Sequence, residues 1–186
     1  MTRKPSYIVA VDAMDAWRDS LFSGERPDLY SVGAGALSSI ELGPGRVVLI
    51  GGVPGGGKTA LSMQLVVDAL RAAPTLRAVV ANVEMTPEVL LDRQLARLSG
   101  IPLQLIANRA LGAEHADRLD KGLATLAAVA ERLAFVTAPF GLKNIGETAV
   151  DFKATLLALD YLQRLEPLTN GHADKRGRVD AMMDVL

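Results

Sequence analysis

The chain has 186 residues, of which 49% are hydrophobic and 22% charged, an ordinary balance for a globular domain able to bury a core. Its formal net charge of −1 makes the whole chain no electrostatic magnet for nucleic acid, although local basic patches remain open. There is no cysteine, which excludes disulfides, thiolate zinc sites and cysteine nucleophiles. Aromatic residues make up only 4%, so the core must be built from Leu, Val, Ile and Ala. No apolar run reaches membrane-spanning length, and the polar start Met1 to Pro5 leads into no signal-peptide run. The expectation is a soluble, cytoplasmic protein with no membrane partner.

In chain order, Asp15 to Phe22 can form a short helix, and Trp17 could anchor this N-terminal segment to the core. Leu37 to Leu42 leads into a turn at Gly43-Pro44-Gly45. Arg46 to Ile50 is an apolar run bounded by glycines and reads as a buried strand. After a glycine-rich loop, Leu61, Leu65, Val66, Ala69 and Leu70 recur at helical spacing over Thr59 to Ala72, and Pro74 marks the end. Ala78 to Val83 reads as a second buried strand. Thr86 is a good N-cap and Pro87 suits the first helical position, so a helix runs to about Ser99 and stops at Gly100. Ala113 to Leu133 is a longer amphipathic helix, Leu133 to Ala138 a third strand, Ile145 to Phe152 a short helix, and Thr155 to Asp160 a fourth strand. Strands alternating with helices imply a parallel sheet with ligands at the carboxyl ends of its strands.

The chemistry gathers at those ends. Residues 52–59, GVPGGGKT, fit G-x-x-x-x-G-K-[ST] between a predicted strand and a predicted helix, the context this phosphate-binding loop requires. Gly52, Gly55, Gly56 and Gly57 let backbone N–H groups curl around phosphates without Cβ clashes. Pro54 and Ala60 fall within the same binding segment. The helix beginning near Lys58 would aim its positive end at the ligand. Lys58 would reach the β- and γ-phosphates and Thr59 would ligate Mg²⁺, so the expected cofactors are ATP and Mg²⁺. A second acid on the magnesium side is expected at another strand end. Asp160, closing Leu156 to Leu159, fills that place, although an aspartate there can equally cap a turn. Glu84 directly follows the second strand and suits a general base. A solvated glutamate beside a helix N-terminus is the plainer alternative.

Three segments carry a family resemblance. NVEMTPEVLLDRQLA (residues 82–96), with Arg93 nine residues after Glu84, resembles the segment after the phosphate loop in DnaB-like replicative DNA helicases. DYLQ (160–163) resembles that family's Walker B element, and VPGGGKTA (53–60) its Walker A loop. RLSGI (97–101) is similar to the way the family's helix ends. The resemblance runs from about Leu37 to Leu165 and implies an α/β, RecA-like P-loop fold: a mostly parallel sheet with helices on both faces, incomplete on its C-terminal side. It implies residues 1–36 as an extension or linker and 37–186 as a partial ATPase core. It also implies Glu84 as catalytic glutamate, Asp160 as Walker B aspartate, and Gln163 as the γ-phosphate sensor, where a surface glutamine is the alternative. A homo-hexameric ring of the full-length protein and single-stranded DNA are the implied partners. Arg93 matches without an assigned role, and a helix-surface salt bridge is as good a reading.

The family's motor continues past DYLQ, whereas this chain reaches Leu186, with Arg176 and Arg178 in a polar loop-like stretch and a helix starting at Val179. The expectation is therefore a shortened motor that binds nucleotide and turns it over weakly by itself. Another RecA-type ATPase, such as a loader, a recombinase-like protein or a regulator, and a nucleotide-binding remnant are the alternatives. His115 and His172 read as solvated. Lys175, Arg176 and Arg178 read as a solvated loop ahead of a nucleic-acid patch, and Met182-Met183 as packing.

Overall fold

The computed structural model describes residues 8–23, 29–32 and 35–160. Helix α1 spans Ala10–Phe22. Strands β1 (Tyr30–Ser31) and β2 (Glu41–Leu42) form a small antiparallel pair, bridged by a 3-10 turn at Gly35–Ser39. Then follow α2 (Lys58–Ala72), β3 (Ala78–Asn82), α3 (Pro87–Ser99), α4 (Leu103–Ala107), α5 (Ala116–Ala130), β4 (Leu133–Phe135), α6 (Leu142–Asp151) and β5 (Leu156–Asp160).

The main sheet has the order β4-β3-β5 and is parallel throughout. Strand β3 is central, and all five of its residues are buried. That explains its apolar run from Ala78 to Ala81, since a strand covered on both faces has no solvent side to make polar. Alternate residues serve opposite faces. Ala78 and Val80 join Val66, Leu70 and Leu90 in one core beneath α2 and α3, with Val129 of α5. Val79 and Ala81 join Val136 and Ile145 of α6 in a second core on the other face. A third cluster, Leu95, Ile101 and Ile106, seals α3 against α4 and α5. The α3–α5 contact is close at Gly122, where an added Cβ would lie 2.9 Å from Leu95 Cδ1 and 3.2 Å from Ser99 Cβ.

Helix α3 starts and stops where its sequence says. Thr86 stands at the N-cap, Pro87 opens the first turn, and Gly100 closes the helix at φ 67, a left-handed geometry that glycine adopts without a Cβ penalty. Helix α2 is anchored at its far end by Arg132, whose guanidinium donates to the carbonyls of Leu70, Ala73 and Leu76 at 2.8, 2.9 and 3.0 Å. A cation there meets carbonyls the helix leaves unpaired and the negative end of its dipole.

Several expectations are corrected. Residues 46–50 form no strand, and Val47 and Leu49 are 81% and 83% exposed. A strand exists only through a neighbour's hydrogen bonds, and no described strand pairs with this run; Ile50 alone of the run packs against the core. Trp17 does not anchor α1 to the core, because it is 58% exposed and α1 buries no residue. The long helix expected from Ala113 is a 3-10 turn at Ala113–His115 followed by α5. His115 is not solvated: it is buried, and its Nδ1 accepts from the Gly112 N–H at 3.1 Å. Helix α4 and the β1–β2 pair carry no clear signal in the sequence. Among the described residues no helix is long and apolar enough to cross a membrane.

Candidate functional site

The loop ahead of α2 has the geometry its glycines allow. Gly55 and Gly57 sit at φ 76 and 82, a region that costs an L side chain roughly 1–2 kcal/mol. At Gly56 the backbone itself is crowded, since an added Cβ would lie 3.1 Å from the Val53 carbonyl oxygen. Pro54 and Gly55 make the turn, and residues 51–57 are all exposed. Gly57 is the N-cap of α2 and supplies no side-chain cap. The N–H groups of the first turn, at Lys58, Thr59 and Ala60, therefore point out of the helix with no intrahelical acceptor, a cradle suited to an anion. Lys58 Nζ donates to the carbonyls of Gly52 and Val53, both at 2.9 Å. The ammonium is thus held over the same loop, and an added Cβ at Gly52 would come 3.7 Å from Lys58 Cγ.

A second group lies at the carboxyl end of the sheet. Asn82 and Asp160 are register partners on β3 and β5. Asp160 is 8% exposed and Asn82 7%. Asn82 Nδ2 donates to Asp160 Oδ2 at 2.6 Å. Asn82 Oδ1 accepts from the backbone N–H of Glu84 at 2.9 Å and of Met85 at 2.7 Å. The Val83 N–H donates to the Asp160 carbonyl at 3.1 Å. Glu84 itself is exposed on this turn.

The two groups belong to one packed body. Ile50 before the loop, Leu61 one turn into α2, and Met85 beside Glu84 all pack against the same core. Asp68 of α2 pairs with Arg97 of α3 at 3.1 Å, and Arg97 Nε donates to Gln94 Oε1 at 2.9 Å, which fixes the helix after Glu84 against the helix after the loop. At the start of α3 the Thr86 hydroxyl and then the backbone hydrogen bond of Glu88 hold the Glu88 carboxyl below its ordinary pKa.

The sequence puts Gly52, Pro54, Gly55, Gly56, Gly57, Lys58, Thr59 and Ala60 on one loop and helix start, and Glu84 and Asp160 at one sheet edge. The structure brings each set together in that way. Gln163 lies outside the described residues, as do His172, Lys175, Arg176, Arg178, Met182 and Met183. Arg93 makes no surface ion pair among the described residues; its Nε is buried without a hydrogen-bond partner there. Asn82 went unremarked in the sequence. The available signal was an amide closing an otherwise wholly apolar strand, where any buried polar group needs partners.

The sequence profile of the DnaB-like helicase C-terminal domain matches residues 38–184. No curated protein matches the chain. Among solved structures, one of a DnaB-like replicative helicase and its interactions with primase aligns at 18% identity and TM-score 0.60, covering 70% of this chain and 32% of that one. A second solved structure, an ATPase domain, aligns at 17% identity and TM-score 0.57, covering 71% of this chain and 51% of that one. The chain thus spans about a third and about half of these two structures, and at such identities the likeness speaks for the RecA-like fold. The profile match extends over most of the sequence, and the chain belongs to the DnaB-like helicase C-terminal domain family.

Proposed function

We propose that this chain binds ATP with Mg²⁺ at Gly52–Thr59 and hydrolyses it as the motor core of a DnaB-like helicase, coupling turnover to movement on single-stranded DNA within a homo-hexameric ring. The observation that carries the reading is the Asn82–Asp160 register. It sets an acid and the Glu84 turn at one sheet edge, in the body that also holds the phosphate loop.

The residues fit the ligand. The loop offers unpaired first-turn N–H groups, and Lys58 already donates to oxygen acceptors along the loop, which phosphate oxygens can replace. Asp160 commits Oδ2 to Asn82, leaving Oδ1 for a cation or its water. Thr59 and Asp160 would hold Mg²⁺, which when bound supplies charge neutralisation on the phosphates. Lys58 ties the β- and γ-phosphates as a point charge. Glu84 takes the proton of the attacking water. Gln163 follows β5 closely enough in sequence to read the γ-phosphate state.

The test is steady-state ATP hydrolysis with and without single-stranded DNA. DNA-stimulated turnover that Lys58→Ala and Glu84→Gln abolish supports the proposal. Turnover indifferent to DNA would favour a different RecA-type ATPase, and nucleotide binding without turnover would favour a binding remnant.

A further inference from the structure

We infer that Asn82 is a positioning residue: its side-chain amide couples the metal-side carboxylate, Asp160, to the turn that carries the proposed general base, Glu84. The inference rests on the ATPase reading above and deepens it.

Both ends of the amide are committed. Nδ2 donates to Asp160 Oδ2 at 2.6 Å, and Oδ1 accepts from the Glu84 and Met85 N–H groups at 2.9 and 2.7 Å. Turning the amide over would set Oδ1 against a carboxylate oxygen and the NH₂ against two N–H donors, so the network admits one orientation. An asparagine that merely shaped the turn after β3 would need only its oxygen. The second bond, to a residue 78 positions away, serves something else. A carboxylate as buried as Asp160 requires a donor, and a lysine or arginine there would supply one at the expense of the charge available to a cation. The neutral amide donates while leaving that negative charge uncompensated. It also engages one Asp160 oxygen, which restrains the carboxylate's rotamer and favours Oδ1 as the metal-side atom.

The same amide makes the two groups move together. A shift of Asp160 transmits through one rigid, planar group to the backbone N–H groups of Glu84 and Met85. The site can therefore hold its metal-side acid and its base in fixed relation, which the sub-ångström tolerance of catalytic geometry demands.

The experiment compares Asn82→Ala and Asn82→Ser with the parent in the intact chain. Affinity for a fluorescent ATP analogue is measured in EDTA and in Mg²⁺, and turnover alongside. Asn82→Ala is expected to bind within threefold of the parent in EDTA, because the phosphate loop is untouched. It should lose most of the affinity gained from Mg²⁺ and at least tenfold in turnover. Asn82→Ser keeps a short acceptor for the turn but cannot span to Asp160. It should regain thermal stability and still lack the Mg²⁺ increment, which keeps the question answerable if the alanine variant folds poorly. A parental Mg²⁺ increment and parental turnover in both variants would overturn the inference. So would equal weakening of ATP binding with and without Mg²⁺, which would make Asn82 a support for the sheet edge alone. Asp160→Asn and Glu84→Gln run beside them. If neither changes turnover, the ATPase reading itself fails; if both abolish it while the Asn82 variants behave as parent, this inference alone fails.

Discussion

Lys58 Nζ donates to the Gly52 carbonyl across 2.9 Å, so the first side chain of α2 closes back over the loop that precedes it. The ammonium is thereby held where phosphates would bind, and little side-chain ordering is left to be done when they arrive. Lys58→Ala is expected to weaken MgATP binding more than tenfold, since a charge-assisted hydrogen bond contributes about 1.5–3 kcal/mol. Titration calorimetry reads this directly. An affinity within twofold of the parent would sink the phosphate-loop assignment.

Glu84→Gln keeps the shape of the side chain and removes its basicity. Nucleotide affinity should be retained, while turnover falls by about two or more orders of magnitude, the usual scale for losing a general base. Single-turnover hydrolysis is the measurement. Normal turnover in the variant would leave Glu84 as a surface residue at a strand end.

Gly122 lies where α5 meets α3, with Leu95 Cδ1 and Ser99 Cβ 2.9 and 3.2 Å from an ideal Cβ. Gly122→Val should cost about 1–3 kcal/mol by overpacking. Urea denaturation would register it as a lower midpoint at unchanged slope. An unaltered midpoint would mean the two helices can part without penalty.

Arg132 joins the residue before β4 to the end of α2 through three carbonyls. Arg132→Ala should destabilise the fold by about 1.5–3 kcal/mol. Arg132→Lys should recover only part of this, because an ammonium lacks the planar fork that spans several acceptors. Thermal unfolding of the two variants checks both the size and the order of the effects.

The Glu88 carboxyl is held below its ordinary pKa, first by the Thr86 hydroxyl and then by its backbone hydrogen bond. The folded-state pKa is depressed, so the contribution to stability is present above the unfolded carboxylate range and is lost as pH falls through the folded value. Thr86→Ala should raise the Glu88 pKa toward its ordinary value, visible in an NMR titration. A Glu88 titration identical in the two proteins would show that the hydroxyl is not the cause.

Much of this was written locally in the chain. The glycine-rich loop is readable because its shape lies in short-range backbone geometry. Gly55 and Gly57 take positive φ, and a lysine one residue past the last glycine begins the helix. Strand β3 is readable because a strand covered on both faces is apolar up to its closing Asn82, and α3 because Thr86, Pro87 and Gly100 punctuate it. These are preferences that a residue and its near neighbours settle among themselves.

What depended on distant partners was not legible in the same way. The apolar run at 46–50 signals burial, yet a strand needs a second strand, and none of those described pairs with it. His115 looks like a solvated residue in sequence, but packing buries it against Gly112. Trp17 looks like an anchor, but it stays 58% exposed on a helix that buries no residue. The Asn82–Asp160 bond joins residues 78 positions apart, and only the parallel register of β3 and β5 makes them neighbours. Composition and spacing determined that this chain would carry a glycine-rich loop ahead of a helix and acids at strand ends. The tertiary structure decided which polar group each acid would meet, because hydrogen bonds depend on ångström-scale placement that no local pattern encodes.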